Sequence, residues 1–331
     1  MTDPLSWLLE PQDPGVRYLA LRDLLDLPAD DPELLSAQQA AHLQGPIAFI
    51  LDKMHPDGYW ARPGAGYNPK YYSTSWSLIT LAQLGASVSM DIRIEHACVY
   101  LLKTTLTRQG QFSTNGSPSG TIDCLQGNLC AALVTLGVDD PRLTLAFDWM
   151  ARSVTGEGIA PTDEREALRR YYTAKCGPLF ACGYNGRLPC AWGAAKIMLA
   201  FSCWPAARRT ILMKRAIQQG VDFLFSRELA RADYPTRNSA KPSVNWQKFG
   251  FPVFYVTDIL QVLEALVALG YKNDERLANA LDVVRQKQDE SGRWSLEYDY
   301  TGKTWVDFGN KKQPNKWVTL RAMKVLKDIK Q

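Results

Sequence analysis

The sequence holds no uninterrupted apolar run long enough to cross a bilayer, which excludes a spanning helix. Its opening, "MTDPLSWLLEPQDP", has neither a basic stretch nor an apolar one behind it. A secretory leader is therefore not predicted, and the cytoplasm is the expected location. Charge of one sign is scarce as well. Lys and Arg total 38 against 34 Asp and Glu, a net of +4 that is too small for a nucleic-acid binder, and no aromatic-and-basic motif accompanies it. With 46% apolar and 22% charged residues, wholesale disorder is excluded. Strand-like alternation is almost absent. Seven cysteines, an odd number without an export signal, argue for reduced thiols and against a disulfide framework.

What is present is a period. "SWSLITLAQLGAS" (75–87), "NLCAALVTLGVDD" (128–140) and "ILQVLEALVALGYKND" (259–274) are variants of one apolar helix that closes on Leu-Gly, the glycine taking the left-handed position after the last turn. "GVRYLALRDLLDL" (15–27), "CAWGAAKIMLAFSCW" (190–204) and "NKWVTLRAMKVLKDI" (315–329) are further helices of this kind. Between them lie amphipathic segments, at 31–54, 91–106, 140–154, 207–229 and 274–288, several opened by Asp or Asp-Pro as cap signals. A helix apolar all round must be buried, and an amphipathic one covers it. About six such pairs closing on themselves predict an all-α, α/α toroid, one domain over 1–331, with inner helices around a central cavity. An open solenoid would need polar capping repeats, and the terminal helices are not distinctively polar.

Three loops before inner helices, "HPDGYW" (55–60), "RQGQF" (108–112) and "QDESGRW" (288–294), resemble the Gln/Asp-x-x-Gly-x-Trp repeats of the squalene cyclase and prenyltransferase superfamily. The period of nearly the whole chain is similar to that of its small single-barrel members. The resemblance implies a toroid whose repeat loops tie one outer helix to the next. The family's chemistry is not reproduced. Protonating bacterial cyclases use Asp-x-Asp-Asp, and "ADDP" and "VDDP" lack the first Asp. Oxidosqualene cyclases carry Asp-Cys-Thr-Ala-Glu, of which "IDCLQGN" keeps only Asp123 and Cys124. Protein prenyltransferases hold zinc through Asp, Cys and His, whereas His42, His55 and His96 fall on outer helices and a repeat loop.

In a toroid the N-termini of the inner helices open at one end. Cys124 heads one inner helix and Cys190 the next, with Cys176 and Cys182 in the loop between. Four thiols then converge on one rim, where helix N-termini favour thiolates. Such a set suits tetrahedral zinc or, less readily, an iron–sulfur cluster. The x5 and x7 spacings are looser than a zinc-finger hairpin, and four small packed residues are the alternative, as assumed for Cys98, Cys130 and Cys203. Asp123 and Asp258 also head inner helices. Each is a candidate proton donor to an alkene or epoxide, or simply a helix cap.

Tyr71, Tyr72, Trp76, Trp192, Phe251, Phe254, Tyr255 and Trp317 crowd the same helix starts, where aromatic faces can steady a carbocation. Lys241, Lys248, Lys312, Lys316 and Arg321 fall near the last helix head and either clamp an anionic group or form a solvated face. The first functional expectation is a terpene cyclase-like isomerase, lyase or transferase acting on an isoprenoid or other large apolar molecule. A zinc–thiolate enzyme of another class, or a non-catalytic module with a structural metal, are the alternatives. The chain leaves room for a peripheral membrane contact.

Overall fold

The computed structural model describes residues 3–237 and 242–330. It is all-α: no strand forms among the described residues, only isolated bridges in loops. The helices are α1 (Pro4–Leu8), α2 (Pro14–Asp23), α3 (Pro32–Leu43), α4 (Gly45–Asp52), α5 (Thr74–Gln83), α6 (Ile92–Thr104), α7 (Asp123–Thr135), α8 (Pro141–Thr155), α9 (Ala191–Cys203), α10 (Ile211–Leu224), α11 (Ile259–Leu266), α12 (Ala278–Gln286) and α13 (Lys316–Asp328).

The apolar helices α5, α7, α9, α11 and α13 pack each on the next, and α13 returns to α2. Leu19 of α2 lies against Gly85 at the end of α5, so the order of contacts runs in a ring. Outside it, α3 and α4 cover α2, α6 covers α5, α8 covers α7, α10 covers α9 and α12 covers α11. The tightest pair is α7 on α9. A Cβ on Gly127 would lie 2.5 Å from the carbonyl carbon of Lys196, so only glycine lets these two backbones meet.

The segment 31–54, read as one helix, is two. The break falls at Gln44, whose extended backbone precedes a glycine at φ 71° and then Pro46, which cannot continue an α-helix ladder. The segment 259–274 leaves α-geometry after Leu266 and winds through a π-turn to Gly270 at φ 100°.

The three repeat loops share one construction. His55, Thr107 and Asp289 each donate their backbone N–H to the carbonyl four residues on, at 2.8, 2.9 and 2.8 Å. The aromatic residue that follows then donates its backbone N–H to a side chain of the next inner helix: Trp60 to Thr74 (3.2 Å), Phe112 to Gln126 (2.7 Å), Trp294 to Thr319 (3.0 Å). The indoles of Trp60 and Trp294 donate at 2.7 Å to Ile50 and Val284, capping the last turns of α4 and α12. Two further rings do the same work without the motif. The Tyr234 hydroxyl donates to Leu224 O of α10 (2.6 Å), and the Tyr171 hydroxyl to Ser153 O of α8 (2.8 Å). Each such bond is worth about 1 kcal/mol beyond the ring's burial. The repeat glycine presses on the neighbouring outer helix, since a Cβ on Gly110 would overlap the Leu145 carbonyl.

Candidate functional site

At the head of α7, Ile122 occupies the cap position and Asp123 is the first helical residue. This places the Asp123 carboxyl sideways, toward α8, rather than back over its own N-terminus. The Ser153 hydroxyl donates to Oδ1 at 3.3 Å, and the backbone of Gly177 lies close to the carboxyl. Oδ2 is buried and has no partner. Burial, reinforced by the neighbouring Cys182, raises the Asp123 pKa well above the ordinary carboxylate range.

One turn before Ser153 on α8, the Trp149 indole N–H is also buried without a partner. Trp149, Ile159, Tyr171 and Cys176 form a small apolar cluster apart from the main core. Orphaned buried polar atoms are uncommon in folded proteins, and among the described residues they also occur at Ser75, Gln111, Tyr255 and Tyr300. Burial and then Asp123 raise the pKa of the Tyr171 phenol. Tyr171, Cys176 and Gly177 also wall a pocket of about 570 Å³, whose other sides include Pro161, Pro178 and Ala181, with Asp163 and Arg187. That volume lies in the usual range for small-molecule sites. The loop above Asp123 is under backbone strain: Leu179, Phe180 and Arg187 hold φ of 50°, 61° and 65°. Such conformations persist where the surroundings impose them, and fully buried Phe180 supplies the anchor.

The same loop brings thiols together. Cys182 N–H donates to Leu188 O and Cys190 N–H to Phe180 O, a short antiparallel pairing. The Cys190 side chain lies beside both Cys124 and Cys182, while Cys176 lies near Cys182 and Asp123. Contact with Cys124 and then burial push Cys190 up to about 12, contact with Cys190 and then burial raise Cys182, and burial raises Cys176, opposite in direction to the lowering expected at a helix N-terminus. Burial and mutual contact outweigh the helix dipole. Among the described residues no group of three or more His, Cys, Asp or Glu side chains is placed to hold a metal ion.

Asp258, the other candidate acid, has a different fate. It is the N-cap of α11, accepting from Gln261 N (2.7 Å), Gly250 N (3.2 Å) and both terminal nitrogens of Arg321 (3.1 and 3.2 Å). Arg321 completes its set on Glu264 and Gly250 O, so it clamps protein groups and has no N–H left for an external anion. Lys316 pairs with Glu10 and Asp13 at 2.7 and 2.6 Å. Lys248 and Lys312 are exposed, and Lys241 lies outside the described residues.

Most of the aromatic helix heads pack on one another, while Phe251 also lines an interior cavity of about 220 Å³ and Trp317 a surface pocket of about 480 Å³. Tyr71 stacks on Phe254 at 5.2 Å, Trp76 meets Phe254 and Tyr255 edge-on at 5.3 and 5.1 Å, and Phe251 stacks on Trp317 at 4.7 Å. Tyr72 sits at the rim, its hydroxyl donating to Gly302 O, and Trp192 is half-buried. Large flat rings at the starts of α5, α11 and α13 pack on one another first and fill much of that end of the ring. Sequence reasoning missed Trp149 altogether. The available signal was its spacing from Ser153, four residues along the face of α8 that covers the head of α7.

No protein family matches the chain, and no curated protein is similar enough to count as a match. Among solved structures it is similar to a type II terpene cyclase, MstE from Scytonema, in complex with geranylgeranyl dihydroxybenzoate. The identity is 14% over 89% of this chain and 96% of that one, at TM-score 0.33. An apo form of the same enzyme gives 14% at 0.32, and a protein from Actinoplanes gives 12% over 89% and 99% at 0.33. At these values the likeness assigns no residue a role.

Proposed function

We propose that this chain is a general-acid enzyme of the terpene-cyclase kind, with Asp123 as proton donor and the rim pocket beside it holding an unsaturated or epoxidised apolar substrate. The observation that carries the reading is the pair of orphaned buried atoms, Asp123 Oδ2 and Trp149 Nε1. A neutral carboxyl with one free oxygen can deliver its proton to an alkene carbon or an epoxide oxygen, and the indole N–H can donate to a substrate oxygen. The carbocation so formed closes a ring and loses a proton, so substrate and product are isomers. The pocket differs from the aromatic-lined central cavity expected from the sequence, because the rings fill that space and the remaining interior cavity is small.

Farnesyl and geranylgeranyl phenols and their terminal epoxides, incubated in deuterium oxide, test the reading. The expected result is a cyclised isomer carrying one deuterium at the protonated carbon, or one exchangeable deuterium from an epoxide. Asp123→Asn should lower the rate by about 10²–10⁴-fold, the usual worth of a positioned acid. Turnover undiminished in that variant, or alkene cyclisation without deuterium, overturns it.

A further inference from the structure

Beyond the aromatic plug, the ring interior keeps a cavity of about 220 Å³, bounded by α5, α7, α9, α11 and α13. It is separate from the pocket walled by Tyr171, Cys176 and Gly177. Its ionic groups are already matched: Arg321 spans Asp258 and Glu264, and buried Lys196 donates to Gln261 Oε1. An added ion would find no free counter-charge there, and burying an unpaired charge is costly.

Two amides reach this cavity with one end tied. Lys196 holds Gln261 Oε1, which leaves Gln261 Nε2 turned away from it. Asn128 Nδ2 donates to Phe254 O at 3.3 Å, which leaves Asn128 Oδ1. Neither free end has a protein partner among the described residues, and both residues line the cavity while being 4% and 5% exposed. Around this donor and this acceptor the wall is Ile79, Ala131, Ala132 and Leu199.

We propose that the cavity binds a small neutral molecule with an apolar body and one hydroxyl group. The hydroxyl donates to Asn128 Oδ1 and accepts from Gln261 Nε2, since it is the simplest group that donates and accepts through one atom. Size fixes the body. An engineered apolar cavity of about 150 Å³ in another protein takes benzene, so 220 Å³ admits a phenol with one or two added carbons.

The test is calorimetric titration with 4-methylphenol and with 1,4-dimethylbenzene, which has the same shape without the hydroxyl. The folded wild type should bind the phenol at least tenfold more tightly. Asn128→Leu should abolish that preference while still binding dimethylbenzene, and Ala132→Phe, which fills the space, should bind neither. Circular dichroism confirms that each variant is folded. If Ala132→Phe does not fold, the two probes on wild type and Asn128→Leu still decide. No binding to the wild type, equal binding of the two probes, or an unchanged preference in Asn128→Leu overturns the assignment.

Discussion

The heads of α7 and α11 begin alike, each with an aspartate before an apolar helix, and end as opposites. Asp258 stands one position earlier relative to its helix, as the cap, and collects two backbone amides and a guanidinium. Asp123 stands inside the first turn, meets one long hydroxyl bond, and keeps an oxygen with no partner among the described residues. A shift of one residue in helix register separates a fully bonded cap from a buried carboxyl that is left incompletely satisfied. The wider surroundings follow suit, with charges near Asp258 and thiols, phenol and indole near Asp123.

The sharpest way to break this contrast is to remove the anchored acid. Asp258→Ala leaves Arg321 and Glu264 buried around a missing charge, and is expected to cost about 3–5 kcal/mol in urea unfolding. A midpoint within error of wild type would mean that the ion cluster holds nothing together.

The second effect is smaller per unit and concerns pH. Asp123 has a raised pKa in the folded state, so above the unfolded value near 3.8 the folded chain binds more protons. Stability from this group is therefore complete at low pH and declines as pH rises, by up to about 1.4 kcal/mol per unit, until the folded pKa is passed. Lys196 acts with the other sign. Burial lowers it to about 7, so between about 7 and 10.5 the unfolded chain holds the extra proton and stability rises with pH. Unfolding of Asp123→Asn against wild type from pH 4 to 7 should lack the falling limb. Parallel curves would show that the acid is ionised in the fold.

The smallest expected effect is one of rate. Cys124 and Cys190 are partly accessible, whereas Cys98 and Cys130 are buried and their pKa values are raised by burial. Iodoacetamide at pH 8, followed by peptide mass mapping, should modify the first pair before the second. Equal rates would mean that α6 and α7 open to reagent as readily as the rim does.

The alternation of helices was legible because full-length apolar helices and capped amphipathic ones carry different periodicities. The "HPDGYW" and "QDESGRW" loops were legible because a turn, a glycine and a tryptophan lie within six residues. The equivalent anchors at Tyr171 and Tyr234 were not, since the first sits 18 residues from its carbonyl and neither carries the motif. Convergence of Cys124, Cys182 and Cys190 could be read from their places before successive inner helices. Their protonation could not, because it depends on burial and on one another. Aromatic crowding at the helix heads was visible too, but sequence cannot tell rings that face a void from rings that face each other.

The circular order of contacts has a last consequence, for cooperativity. In an open stack of repeats the end units have one neighbour and fray first, so partly unfolded forms shortened by a repeat are populated. Here α2 packs against α13 and touches the end of α5, so every inner helix is flanked on both sides. Releasing any one of them uncovers two apolar faces at once and leaves no shorter ring to fall back on. The ring order therefore couples each inner helix to two neighbours, and the loss of one is expected to loosen both.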